Sequence, residues 1–138
     1  MNLDKMHQSI NLRSTPLVSV CVITYNSSQF VLETLESIKR QTYDNLELII
    51  SDDASTDNTV EVIEKWLKQY QSRFISSKIL TSEKNTGVSG NCHRAVTSTK
   101  GEWVKLLAGD DLLSVYSIME YVFYVQEDKC DICFAQLS

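Results

Sequence analysis

The chain has 138 residues, 43% of them hydrophobic and 22% charged, with four glycines, one proline and a net charge of −5. That is one domain's worth of chain with enough apolar material for a core, so disorder over most of its length is excluded. The acidic balance and the absence of any Lys/Arg run exclude an electrostatic grip on nucleic acid. No apolar stretch reaches the ~18–20 residues needed to cross a bilayer.

Residues 1–15 are polar and lack a signal-peptide core, which predicts a flexible N-terminal tail, a single domain over 16–138 and a cytoplasmic address. Leu17 to Thr24 (LVSVCVIT) is a short β-branched apolar run, as a buried parallel strand requires. A helix is expected from Ser27 or Ser28, with Val31, Leu35 and Ile38 on its inner face. Leu46 to Ser51 predicts a second strand. Ser55 or Thr56 is expected to cap the next helix, striped by Val60, Ile63, Leu67 and Tyr70. Phe74 to Thr81 reads as a third strand. A helix marked by Val88, Cys92, Ala95, Val96 and Thr99 follows, closed by Gly101. Glu102 to Leu107 is expected as the fourth strand, Val115 to Gln126 as a helix and Asp131 to Ala135 as a fifth strand. Of the four cysteines, Cys21 reads as a core residue, and Cys130 and Cys133 form a C-x-x-C with no second metal-ligand pair to complete a zinc site.

Strands and helices alternating in this way define an α/β fold, an open, mostly parallel sheet with helices on both faces. Ligands of such sheets bind outside the carboxyl ends of the strands. The polar groups there are Thr24, Tyr25 and Asn26 after the first strand, and Asp52, Asp53 and Ser55 after the second. Asn85 and Gly87 follow the third, Asp110 and Asp111 the fourth. No G-x-G-x-x-G or G-x-x-x-x-G-K-[ST] is present, so a diphosphate would need a divalent cation held by carboxylates. Asp110 and Asp111, straight after an apolar strand, suit Mg²⁺ or Mn²⁺, or else a solvated turn that starts a helix. A carboxylate at the second exit can accept the ring N–H of uracil or guanine, and Tyr25 can stack on the base. Against these readings, Asp53 suits a cap on the following helix, Tyr25 a core aromatic, Asn26 a helix start and Asn85–Gly87 a plain turn. His93 lies off the apolar stripe.

Four blocks in order resemble glycosyltransferase family 2, of the GT-A fold: Pro16 to Asn26, then Gln41–Tyr43 with Glu47 to Thr59, Asn85 to Asn91, and Lys100 to Asp111. The resemblance implies an inverting transferase that moves a sugar from a nucleoside-diphosphate-sugar, UDP by default, to a saccharide or lipid-linked acceptor in surface polysaccharide synthesis. By the same resemblance Thr24, Tyr25 and Asp52 hold the base, with Asn26 and Asp53 beside them. Asn85, Gly87 and Asn91 line the nucleotide-sugar pocket. Asp110, with Asp111, holds Mn²⁺ or Mg²⁺ on the diphosphate.

Two positions depart from the family pattern. Ala108 stands where its metal motif usually has Asp, and Cys92 and His93 stand where an Arg and an Asn are common. The acceptor-side residues, including a general base, are expected beyond Ser138, so this chain reads as the donor-binding part. Peripheral membrane association of a longer enzyme and a homodimer are compatible with that reading. The alternatives are a nucleotidyltransferase, which would want a Gly- and Arg/Lys-rich loop in place of Tyr25–Ser28, and a non-catalytic receiver-like module, whose acidic pair would follow the first strand.

Overall fold

The computed structural model describes residues 10–132. Its elements are β1 (Val18–Thr24), α1 (Val31–Lys39), β2 (Leu46–Asp52), α2 (Thr59–Tyr70), a 3₁₀ turn (Gln71–Arg73), β3 (Ser76–Thr81), α3 (Gly87–Val96), β4 (Trp103–Ala108) and α4 (Ser117–Asp128). The strands form one sheet in the order β3-β2-β1-β4, with every neighbouring pair parallel.

Alternate strand residues face opposite sides. Val18, Val20, Val22, Leu46, Leu48 and Ile50 form one face, packed against Val31, Leu35 and Ile38 of α1, Ile63 and Trp66 of α2, and Ile118 and Val122 of α4. On the other face Cys21 and Ile49 meet Ala95 of α3. Helices therefore cover both faces, and β1 and β2 carry apolar residues at alternate and at adjacent positions because both of their faces are buried. Each fully buried aliphatic side chain contributes about 1.5–3 kcal/mol.

The α3 side also buries a carboxylate. Glu47, 1% exposed, accepts hydrogen bonds from Ser19 Oγ, Ser76 Oγ and the Lys100 amide. Its carboxyl is desolvated, yet these donors and nearby Lys78 hold it below the usual carboxylate range. Ser19 Oγ in turn accepts from Gly101 N at 2.8 Å. A side chain at Gly101 would sit 2.7 Å from Ser19 N. This corrects the sequence expectation that Gly101 ends a helix: α3 stops at Val96, and glycine is needed for close approach to β1.

Two further helix expectations change. α2 begins at Thr59 after Asn58, and neither Ser55 nor Thr56 caps it; Asp57, one residue before the cap position, accepts from Thr59 N at 3.0 Å. On α3, Val88 is 72% exposed while Asn91 is 4% exposed. The buried stripe therefore runs through Asn91 and Ala95, because the start of the helix lies at the rim of the sheet, where no layer covers it. Of the expected tail, Leu12 packs on the core and Arg13 pairs with Glu127 at 3.1 Å. Of the expected fifth strand, Asp131 and Ile132 are unpaired and the rest, with Cys133, lies outside the described residues.

Candidate functional site

The strand order fixes the site. β1 lies between β2 and β4, so three exits sit side by side, tied by Asp53 N donating to Thr24 O at 3.0 Å and Gly109 N to Ile23 O at 2.9 Å. α3 rises beside them and closes a cleft of about 310 Å³ lined by Thr24, Tyr25, Ser27, Asp53, Asn85, Gly87, Val88, Asn91, Ala108 and Asp110, among others. Another cavity, about 220 Å³, opens between β4 and α4 around Trp103, Tyr121 and Val125, away from the strand exits. The convergent polar groups are in the first.

Tyr25 is 49% exposed at the cleft, which replaces the core reading with an available aromatic face. Asn26 has φ 49° and its Oδ1 accepts from Thr56 N at 2.8 Å and Asp57 N at 3.3 Å. It stitches the β1 exit to the β2–α2 loop and neither starts a helix nor lines the cleft.

The two acids at the exit of β2, Asp52 as its last residue and Asp53 just beyond, part company, because consecutive residues leaving a strand point to opposite sides. Asp52, 1% exposed, continues the Leu48 and Ile50 face. Its Oδ1 accepts from Thr24 Oγ1 and Ser55 Oγ, both at 2.6 Å, and its Oδ2 from Ser55 N at 2.9 Å. It does not line the cleft. Asp53 does, at 2% exposure. It caps α3 rather than the helix that follows it in sequence, accepting from Thr86 N, Thr86 Oγ1 and Gly87 N at 2.6–3.0 Å. Arg94 adds an ion pair at 3.3 Å. Burial pushes the Asp53 carboxyl up, but these donors outweigh it and hold the group below its usual range.

Asn85 Oδ1 accepts from Gly87 N at 2.8 Å, and Gly87 has φ 81°, a conformation that suits glycine. Asn91 is buried, donating from Nδ2 to Thr24 O at 3.1 Å and accepting from Arg94 Nη1 at 3.1 Å. Asp110 is exposed and lines the cleft. Asp111 is exposed too, but only its backbone is engaged, donating to Ala108 O at 3.1 Å, and it is not among the lining residues. Gly109 between β4 and Asp110 is buried. A Cβ there would lie 2.8 Å from Thr24 Cγ2.

Sequence reasoning missed Arg94 and Ser27. The signal for Arg94 was its place three residues after Asn91, on the same side of a helix next to an acidic exit. The first amides of α3 are already spent on Asp53, and among the described residues that line the cleft the carboxylate left open is Asp110. A diphosphate here would therefore need a countercharge. Among the described residues no three His, Cys, Asp or Glu side chains gather as a self-sufficient metal centre. An exposed Asp beside a phosphate-sized space does fit a Mg²⁺ or Mn²⁺ that draws its remaining ligands from phosphate and water.

A parallel sheet with this cleft at its carboxyl edge defines a GT-A nucleotide-binding α/β domain, the fold of its structural neighbours. The model for "Glycosyl transferase family 2" matches residues 19–137, and the chain belongs to that family. It is 32% identical over 116 residues to "Glycosyltransferase GlyG" of Streptococcus pneumoniae, across 84% of this chain and 37% of that protein. The structure of S. aureus TarS in complex with UDP superposes with a TM-score of 0.72 at 28% identity, covering 80% of this chain and 32% of that one. The Pyrobaculum calidifontis mannosyltransferase PcManGT, in complex with GDP-Man and Mn²⁺, gives a TM-score of 0.73 at 24% identity, covering 88% and 37%. The chain spans less than half the length of these proteins.

Proposed function

We propose that this chain is the donor-binding part of an inverting glycosyltransferase that uses a nucleoside-diphosphate-sugar, with UDP as the default nucleotide. The observation that carries the reading is the pairing, in one cleft, of an exposed aromatic face at Tyr25 with an open carboxylate at Asp110. The base stacks on Tyr25 and the diphosphate extends along the β1 and β4 exits toward Asp110. Asn85, Gly87 and Asn91 form the wall on the α3 side.

Asp110 would hold Mn²⁺ or Mg²⁺, whose contribution when bound is to neutralise charge on the departing diphosphate. Asp52 and Asp53 keep the exits in register and are assigned to the cleft's framework. With Asp110 given to the cation and Asp53 to α3, neither is assigned as the general base. The acceptor is proposed to be a saccharide or a lipid-linked glycan at the cytoplasmic face of a membrane. Among the described residues no helix is long and apolar enough to cross a membrane. Val104 and Leu106 on β4, both at least 40% exposed, are the surface through which a homodimer would form.

The test is calorimetric titration with UDP, GDP, dTDP and CMP, each with and without Mn²⁺. Cation-dependent binding of one nucleoside diphosphate, lost in Asp110→Asn and weakened about tenfold or more in Tyr25→Ala, is the expected outcome. A folded chain that binds none of the four overturns the reading.

A further inference from the structure

We propose that Gln41 is a positioning residue for the cleft: from the end of α1 it holds the segment that leads from Asp110 into α4, and so fixes where the Asp110 carboxylate stands. This rests on the donor-site reading above and names a residue outside the cleft lining that sets how tightly the site binds.

Gln41 is 4% exposed and follows α1 by two residues, yet two of its three side-chain hydrogen bonds reach more than seventy residues along the chain. Its Nε2 donates to Ser37 O at 3.1 Å and to Ser114 O at 2.7 Å. Its Oε1 accepts from Ile118 N at 3.1 Å. That amide is among those at the start of α4 that the helix itself cannot satisfy. Two neighbours reinforce the grip. Thr42 N donates to Val115 O at 3.0 Å, and Ser37 Oγ accepts from Leu113 N at 3.2 Å. Leu113, Ser114, Val115 and Ile118 are therefore all tied to the end of α1.

Upstream, the acidic turn is tied to β1 and β4. Gly109 N donates to Ile23 O at 2.9 Å and Asp111 N to Ala108 O at 3.1 Å. Asp110 stands between these two anchorages, and past Asp111 only Leu112, 62% exposed, precedes the second. Loosening that second anchorage lets the turn swing about the first. Tyr25 and Asn85 stand on the β1 and β3 exits, which Gln41 does not touch. A hydrogen-bonded support behind a ligating carboxylate is worth about 10–100-fold in affinity for what the carboxylate holds.

The experiment compares the parent with Gln41→Met, Ser37→Ala and Trp66→Phe. Gln41→Met keeps the bulk of the side chain and removes its hydrogen bonds, and Ser37→Ala releases only Leu113. Trp66→Phe loses the bond from Trp66 Nε1 to Glu36 at 2.8 Å, which loosens α1 against α2 and spares the grip on Ser114 and Ile118. Each chain is titrated with UDP plus Mn²⁺ and with uridine, or with GDP and guanosine if the parent takes those, and amide hydrogen exchange is followed over residues 109–118. Gln41→Met is expected to exchange faster over that segment and to bind UDP with Mn²⁺ about tenfold or more weakly, with uridine affinity within about twofold of the parent's. Ser37→Ala should shift in the same direction. Trp66→Phe should melt lower and bind both as the parent does. A Gln41→Met chain that melts cooperatively and binds UDP with Mn²⁺ as the parent does overturns the proposal and leaves the donor site standing. So does equal weakening toward UDP and uridine, the mark of a merely structural role. If Gln41→Met does not melt cooperatively, Ser37→Ala decides by the same two criteria. A folded parent that binds neither diphosphate overturns this proposal and the donor-site reading together.

Discussion

Arg94 Nη2 lies 3.3 Å from Asp53 Oδ1, and the same guanidinium donates to Thr86 Oγ1 at 2.9 Å, Ser51 Oγ at 3.2 Å and Asn91 Oδ1 at 3.1 Å. One side chain of α3 thus fastens the β2 exit, the β3–α3 turn and, through Asn91, the β1 exit. Its planar fork of donors suits that task better than an ammonium would. Arg94→Met removes the ion pair from a buried carboxylate and is expected to cost about 2 kcal/mol. Arg94→Lys should recover part of it. Urea denaturation of the three chains decides the matter, and an unchanged midpoint in Arg94→Met would show that Thr86 and Gly87 alone satisfy Asp53.

Ala54 carries φ 64°, in the left-handed region, at the turn between the two β2 acids and α2. An alanine there is strained by its Cβ, and glycine is not. Ala54→Gly is expected to stabilise the fold by about 1 kcal/mol, the relief of strain exceeding the entropy that glycine adds to the unfolded chain. A thermal melt that moves down rather than up would contradict this.

Asp57 accepts from Thr59 N, the first amide of α2, at 3.0 Å and from the amide of Ser28 at 3.3 Å. Desolvation raises its carboxyl, but the hydrogen bonds from Thr59 and Ser28 prevail and lower it from 3.8 to about 2. The folded value is the depressed one. The contribution is therefore complete above the unfolded value of 3.8 and is lost as pH falls toward 2. Asp57→Asn should be less stable than the parent at pH 6, with the gap closing between pH 4 and pH 2. A gap that stays constant across that range would assign the contribution of Asp57 another origin.

Glu47 serves the sheet and not the cleft. Replacing it with Gln puts an amide NH₂ where Ser19 and Lys100, or Ser76, now donate, and the expected cost is about 2 kcal/mol. Nucleotide affinity should be unchanged, because Glu47 lies at the amino-terminal end of β2, away from the exits. A variant of parental stability, or one that binds nucleotide differently, would show that the buried carboxylate does something else.

The alternation of strands and helices, the parallel sheet and the four polar exits were legible in the sequence because they follow from local patterns. Runs such as Val18–Val22 and Leu46–Ile50 put apolar residues at both even and odd positions only when both faces of a strand are covered. The family blocks, and with them Tyr25, Asn85 and Asp110 at one rim, were legible for the same reason, since motif spacing places residues on the same strand ends. What the chain alone left open is which way each polar side chain turns and what already holds it. Asp52 and Asp53 are neighbours in sequence with opposite fates, one buried under Thr24 and Ser55 and the other capping a helix more than thirty residues away. Those partners are brought together only by the β3-β2-β1-β4 order. Hydrogen-bond capacity is finite, so the tertiary contacts that fill Asp52 and Asp53 also decide that Asp110 is the carboxylate left open to a ligand.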